Sequence, residues 1–266
     1  MSAVLDEARA TTKQVARTFA LACRLLPRDV RDDVYLLYLV FRTLDDLVDD
    51  GRPEAATRVD AVAAWAAGFE GVETPEIAIL ADLASRYDLP RDALIDFCAG
   101  MHEDLDGVTY ETEADVDRYC YRVAGTVGVV MAALLGTESP EQARPAAAAL
   151  GMAMQRTNIL RDIDEDLDNG RVYIARETLL RHGSLAPGQR EALLRDQIPR
   201  ADALYEQGVA GLSELQRGRR AIAAAAGMYR ELLRRLEAEG YGARPGRTIV
   251  PRTRKLQIAA RAAWRA

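Results

Sequence analysis

The chain has 266 residues, of which 49% are hydrophobic and 29% charged, with a formal net charge of −6. That length and apolar content suffice for one large buried core, which predicts a single domain over residues 1–266. The acidic balance excludes a general nucleic-acid binder, because no cationic surplus is available to neutralise phosphates.

Asp6 to Leu26 reads as a first helix closed by Pro27. Its Asp6, Glu7, Arg9, Lys13 and Arg17 stand where a signal peptide would be apolar. Arg28 opens a second helix, in which Val30, Val34, Leu37, Phe41, Leu44 and Val48 recur at helical spacing until Gly51 and Pro53. On it Tyr38, Arg42, Asp45 and Asp49 fall within about 60° of one another, with Asp46 and Asp50 just to one side. Glu54 to Phe69, Pro75 to Tyr87 and Pro90 to Asp106 follow as three shorter amphipathic helices. The last ends in GMHEDLDG, where a lone His102 reads as structural rather than as a metal ligand.

Thr112 to Leu135 is predicted as one helix. Its Ala124, Gly125, Thr126 and Gly128 lie mid-helix, where each glycine costs up to about 1 kcal/mol. Either another helix packs closely there or the missing side chains leave room for a ligand. Pro140 starts the next helix and Asn169-Gly170 ends it. On that helix Gln155, Asn158, Asp162, Glu165 and Asp166 share an arc of about 100°, while Met152, Ile159, Leu160, Ile163 and Leu167 fill the neighbouring arc.

Arg171 to Gly183 is short and mixed, and Pro187 to Gly208 and Leu212 to Gly240 read as two longer helices. Gly242 to Gly246 is a loop, and Val250 to Ala266 is a basic terminal helix with Arg252, Arg254, Lys255, Arg261 and Arg265. No period-two strand pattern, repeat or linker appears, so the fold class is all-α. No apolar run reaches the ~18 residues needed to cross a bilayer. Cys23, Cys98 and Cys120 are widely spaced, with only His102 and His182 to join them. That pattern is neither a zinc site nor a disulfide frame, and it predicts a cytoplasmic protein.

One acidic stripe on a helix is ordinarily a solvated face. Two such stripes, one of them extending the apolar octet Val34–Phe41, call for positive partners, because buried carboxylates without them cost several kcal/mol each. Arg42 and Arg161 are too few for that role. Magnesium, or manganese in its place, takes oxygen ligands from one or two carboxylates and completes its shell on substrate phosphates. Aspartate pairs on facing helices can hold such ions at one end of a helical bundle, where they offset the charge of a departing diphosphate. Loss of diphosphate from an allylic carbon leaves a delocalised cation, which an apolar cavity shelters from water. Phe19, Leu37, Val48, Val129, Met154 and Ile163 are available to build one. Neither a P-loop, a GxGxxG nor an activated Ser or Cys setting is present.

The motifs ARTFALACRLLP, FRTLDDLVDD, YCYRVAGTVG, MQRTNILRDIDEDLDNGRVY and VPRTRKL occur in this order along nearly the whole chain. Together they closely resemble the squalene and phytoene synthase family, the head-to-head branch of the all-helical isoprenoid synthases. The resemblance implies a helical bundle with a deep apolar cavity. It matches Asp45 and Asp49 to the first aspartate-rich motif and Asp162 and Asp166 to the second, which in the family bind magnesium and substrate diphosphate. Asn158 joins these aspartates as an expected metal ligand. Arg42, Gln155, Asn158 and Arg161 fall on positions lining the diphosphate end, and Tyr38 stands on the same stripe as Arg42. Tyr119, as a catalytic residue, and the stretch from Val123 through Gly125 to Val127 match the segment lining the cavity, and Phe19 is expected among the substrate-binding residues.

The implied reaction condenses two identical allylic prenyl diphosphates. One ionises, its C1 is attacked by the double bond of the other, and a cyclopropyl diphosphate forms; a second ionisation and rearrangement give a linear thirty- or forty-carbon hydrocarbon. Phytoene is favoured over squalene, with presqualene diphosphate and dehydrosqualene as further products left open, and NADPH enters only for a squalene-forming enzyme. A terpene cyclase acting on one prenyl diphosphate and a non-catalytic relative are the alternatives. The oily product implies peripheral membrane contact through the basic terminal helix, while the oligomeric state is not legible. The sequence departs from the family pattern at Ala175, where a proline is usual, at Thr18, where serine usually precedes the phenylalanine, and at Arg156, where a small or apolar residue is common.

Overall fold

The computed structural model describes residues 2–69 and 71–265. The final residue of the expected terminal helix, Ala266, and the side chain of Arg265 lie outside the described residues. Among the described residues the chain is a succession of helices, with a single isolated bridge between Thr137 and Leu215 and no strand.

The first two helices are α1 (Ser2–Val15) and α2 (Arg17–Cys23), followed by the long α3 (Arg28–Asp49). Then come α4 (Ala55–Ala66), α5 (Pro75–Ala84), α6 (Arg91–Asp106) and α7 (Glu113–Cys120). A π-helical turn over Tyr121–Gly125 joins α7 to α8 (Thr126–Leu135). After α9 (Pro140–Arg161) and α10 (Ile163–Asp168) come α11 (Arg176–His182), α12 (Glu191–Ala210), α13 (Arg219–Ala238) and α14 (Arg252–Arg265).

Local chemistry explains most of these limits. Thr74 accepts a hydrogen bond from the Ile77 amide and Pro75 occupies the first position of α5, which together fix its start. Thr112 and Asp115 form a reciprocal capping box on α7. Gly107, in the left-handed region at φ 64°, closes α6. On α3 the residues expected to face inward, Val30, Val34, Leu37, Phe41, Leu44 and Val48, are all buried.

α3, α4, α5, α6 and α8 share one apolar core, and α9, α12 and α13 another. α9 packs along α12 and against α8, so it is the element common to both halves. This contact explains the small residues of the Thr112–Leu135 stretch. A Cβ on Gly151 would stand 2.1 Å from the Ala124 carbonyl oxygen, and one on Gly128 would stand 2.2 Å from that of Ala147. Both distances are far inside van der Waals contact with backbone, so the two helices meet there only because the side chains are missing.

Four expectations need correction. The first helix breaks at Ala16 (φ −111°, ψ 58°), without a glycine or proline to announce it, and the break brings Arg17 and Thr18 to the wall of a polar chamber. The helix from Pro140 to Asn169 bends at Asp162 (φ −104°, ψ 15°) into α9 and α10. There the Asp162 carboxylate is held from one side by Arg161 and from the other by Arg247, so it leaves the straight stripe expected of it. The mixed segment after Gly170 contains a true helix, α11, which opens at Ala175. Residues 211–218, expected as the start of a long helix, form a 3-10 turn and a bend before α13.

Candidate active site

Both acidic stripes line one chamber of about 970 Å³. α3 contributes Tyr38, Arg42, Asp45 and Asp49, and α9 contributes Gln155, Asn158 and Arg161. Asp162 enters from the bend and Asp166 from α10, while Tyr119 enters from α7. Ala16, Tyr38 and Tyr229 border both this chamber and a smaller apolar cavity of about 280 Å³. Phe19, Phe41, Val123, Val127, Leu150 and Met154 are among the side chains that line the latter. An acid-lined vestibule therefore adjoins an oily recess, with Ala16, Tyr38 and Tyr229 between them.

The carboxylates are only partly neutralised. Arg42 pairs with Asp45 at 2.9 Å and also with Asp46. Arg171, from the segment leading to α11, pairs with Asp49. Arg161 donates through Nε to Asp162 at 2.7 Å, and Arg247 holds the same oxygen at 2.9 Å. Among the described residues Asp166 has no cation paired with it. Burial, with the charge of Asp49 next in effect, pushes the Asp45 carboxyl up to about 7 in spite of Arg42. Burial and the charges of Asp162 and Glu165 likewise raise Asp166 to about 7.

A third acid completes the group. Asp104, from α6, accepts hydrogen bonds from the Tyr119 hydroxyl at 3.0 Å and the Tyr173 hydroxyl at 2.9 Å. Burial raises its carboxyl to about 6, and these two donors hold it from going further. The Tyr119 and Tyr173 rings stack with centroids 5.2 Å apart, which fixes both hydroxyls over the same carboxylate.

The donor set fits a hard divalent cation. Asn158, which lines the same chamber, donates to Gln155 at 3.3 Å, while its own Oδ1 is buried and has no hydrogen-bond partner among the described residues. Among the described residues no three acidic, histidine or cysteine side chains converge closely enough to cage a metal unaided. That spacing suits an ion completed by the oxygens of a substrate.

Of the residues singled out from the sequence, Asp45, Asp49, Asp162, Asp166, Tyr119, Arg42, Gln155, Asn158, Arg161 and Tyr38 meet in the chamber. Phe19, Tyr38 and Val123 line the recess. Gly125 touches neither. It is buried in the helix seam, where a Cβ would lie 3.0 Å from the Tyr121 ring and 3.2 Å from Met152, so it is a packing position. Met154 borders the recess, whereas Leu37, Val48, Val129 and Ile163 lie in the cores around it. His102 is outside the chamber and faces Asp60 at 2.8 Å. Cys23, Cys98 and Cys120 are buried, and burial pushes each thiol up to about 12.

The sequence reading missed Asp104, Arg171, Tyr173, Arg247 and Lys255, all of which line the chamber. Asp104 follows the buried Phe97 and Met101 at i+7 and i+3, so an acid on an apolar face was its signal. Arg171 and Tyr173 alternate along an extended segment and so point the same way. Arg247, in a glycine-rich loop, carries no periodic signal at all. The three departures from the family pattern are accommodated. Ala175, fully buried at φ −58°, holds the backbone that a proline would impose. Thr18 accepts a hydrogen bond from the Lys255 ammonium at 2.7 Å. Arg156 is buried between Glu113, Asp117 and Gln197.

A helical frame that sets an acid-lined vestibule over an apolar recess is that of an isoprenoid synthase, an all-α prenyltransferase fold. The sequence model of the squalene/phytoene synthase family matches residues 12–254. The chain is 40% identical over 240 residues to the phytoene synthase of Thermus thermophilus, spanning 84% of this chain and 80% of that protein. It is 32% identical over 281 residues to the 15-cis-phytoene synthase of Synechococcus elongatus, spanning 96% and 91%. A crystal structure of a dehydrosqualene synthase in complex with ligand superposes with a TM-score of 0.88 at 29% identity, covering 98% of this chain and 95% of that one. The chain belongs to the squalene/phytoene synthase family. It is a prenyltransferase, and its reaction is the head-to-head condensation of prenyl diphosphates. No helix among the described residues is long and apolar enough to cross a membrane.

Proposed function

We propose that the enzyme joins two twenty-carbon allylic diphosphates into phytoene, with magnesium and without a nicotinamide reductant. The observation that carries this reading is that Asp45, Asp49, Asp162 and Asp166 line one chamber together with Asn158, whose Oδ1 has no hydrogen-bond partner among the described residues, and that this chamber borders the apolar recess. The named phytoene synthases at 40% and 32% identity support the choice of product. Manganese satisfies the same oxygen donors.

In this reading Asp45, Asp49, Asn158, Asp162 and Asp166 hold the divalent ions. Magnesium bound there supplies positive charge to the diphosphate as it leaves with its bonding electrons. Arg42, Arg161, Arg171, Arg247 and Lys255 face the same space and present guanidinium and ammonium donors to phosphate oxygens. Gln155 holds Asn158, and Tyr119, fixed with Tyr173 on Asp104, presents its ring at the boundary of the chamber. Tyr38 and Phe19, with ring centroids 5.2 Å apart at the neck of the recess, offer aromatic faces to an allylic cation. Val123, Val127 and Met154 exclude water from it. The substrate chains and the oily product also imply contact with a membrane surface, with the protein peripheral to it.

Incubation with magnesium and the fifteen- or twenty-carbon diphosphate, with and without NADPH, tests the assignment. The expected product is a linear forty-carbon triene-centred hydrocarbon from the longer substrate, with two diphosphates released per product and no change on adding NADPH. A product with the carbon number of one substrate, or one formed only with NADPH, contradicts it.

A further inference from the structure

α14 divides between its two faces. Inward, Ile258, Ala259 and Ala262 pack against α13 and α2, and Arg254 pairs with Glu231 at 2.8 Å. Lys255 also turns inward, to Thr18 at 2.7 Å in the chamber wall. Two of the cations that the sequence offers to a membrane are therefore engaged within the protein.

The outward face has a different character. Arg252, Leu256, Trp264 and Arg261 follow one another around the helix within about 180°, and all are exposed. Trp264 is 91% exposed and Leu256 48%, and Ile249, in the strap that enters the helix, is 72% exposed. Neither Arg252 nor Arg261 has a charged partner among the described residues. α14 contains no acid, in a chain whose net charge is −6.

An exposed indole and two exposed aliphatic side chains, bounded by unpaired arginines, match a helix lying flat in a bilayer interface. The apolar side chains enter the boundary between headgroups and acyl chains, the indole sits at headgroup level, and the guanidinium groups meet lipid phosphates. We propose that the outer face of α14, with Ile249, docks on an anionic membrane surface. Ile249, Val250 and Lys255 also line the chamber, so docking here brings its mouth to the lipid. Long prenyl chains then enter, and a hydrocarbon leaves, without crossing water. The proposal gives a place to the peripheral contact inferred above and rests on that reading.

The experiment is flotation of the full chain with phosphatidylcholine vesicles, with and without phosphatidylglycerol. Binding is expected only to the anionic vesicles. Arg252→Glu with Arg261→Glu is expected to lower partitioning about twenty-fold or more, since each cation near an anionic surface is worth roughly a fivefold effect. Leu256→Ala with Trp264→Ala is expected to weaken binding about tenfold, and neither pair alters turnover of detergent-dispersed substrate. Trp264 is one of two tryptophans, so in a Trp65→Phe background its emission reports directly and is expected to shift to the blue on vesicle addition. No flotation overturns both the contact and its surface. Flotation unaffected by the substitutions keeps the contact but overturns this surface. A blue shift that depends on protein concentration without vesicles assigns the face to a second copy of the chain and overturns the proposal.

Discussion

Asp45→Ala and Asp162→Ala are each expected to lower diphosphate release by at least about a thousand-fold while the protein stays folded. The two residues stand on different helices, α3 and the α9–α10 bend, yet face the same chamber. Removing either takes one wall from an ion that neither wall holds alone, a loss of about 4 kcal/mol of stabilisation of the leaving diphosphate. The fold is expected to survive the loss of either. Asp45 retains 41% exposure of its side chain toward the chamber and is repelled by Asp49, so its loss relieves charge crowding. Removing Asp162 frees Arg161 and Arg247, which lie against a chamber open to water. Circular dichroism and a thermal melt report the fold, and a coupled diphosphate assay reports turnover. Variants that turn over like the parent would remove these residues from the site.

Freed of divalent metal, the protein is expected to lose stability as the pH rises from about 4 to about 7, and to regain it on addition of magnesium. The Asp45 and Asp166 carboxyls titrate near 3.8 when unfolded and are raised to about 7 in the fold. Across that window the folded state binds more protons than the unfolded state, so stability falls as pH rises. The contribution is complete below the unfolded value and lost once the folded value is passed. Magnesium binds the deprotonated carboxylates, so its protection grows with pH. Melting temperatures in chelator and in magnesium should therefore diverge above about pH 7 and converge near pH 5. Asp45→Asn and Asp166→Asn should flatten the chelator curve. A pH-independent gap between the two curves would contradict the assigned titrations.

Much of this arrangement was legible in the sequence because it repeats on a helical period. The buried face of α3 and the acids that extend it follow the same spacing, so both could be placed from residue order. The bend at Asp162 was not legible, since apolar and acidic spacing continues through it and no glycine or proline marks it. The contact made there is tertiary: Arg247, from a loop 85 residues later, reaches the carboxylate. The break at Ala16 likewise has no glycine or proline to mark it. Gly125 was misread because a glycine left open for a ligand and one left open for a neighbouring helix look alike along the chain. The contact with Met152 and the Ala148 carbonyl decides for the helix. Asp104 shows the opposite case, a residue whose period was readable but whose meaning depended on Tyr119 and Tyr173 arriving from other segments.

The proposed chemistry needs divalent ions shared between the two aspartate rows and a diphosphate. Manganese binding followed by electron paramagnetic resonance, with inorganic diphosphate present, reads that sharing without any turnover. The parent should immobilise manganese in a diphosphate-dependent way, and Asp45→Ala and Asp162→Ala should each abolish the bound signal. Full, diphosphate-dependent binding in either variant would show that one row suffices, and the shared site would be wrong.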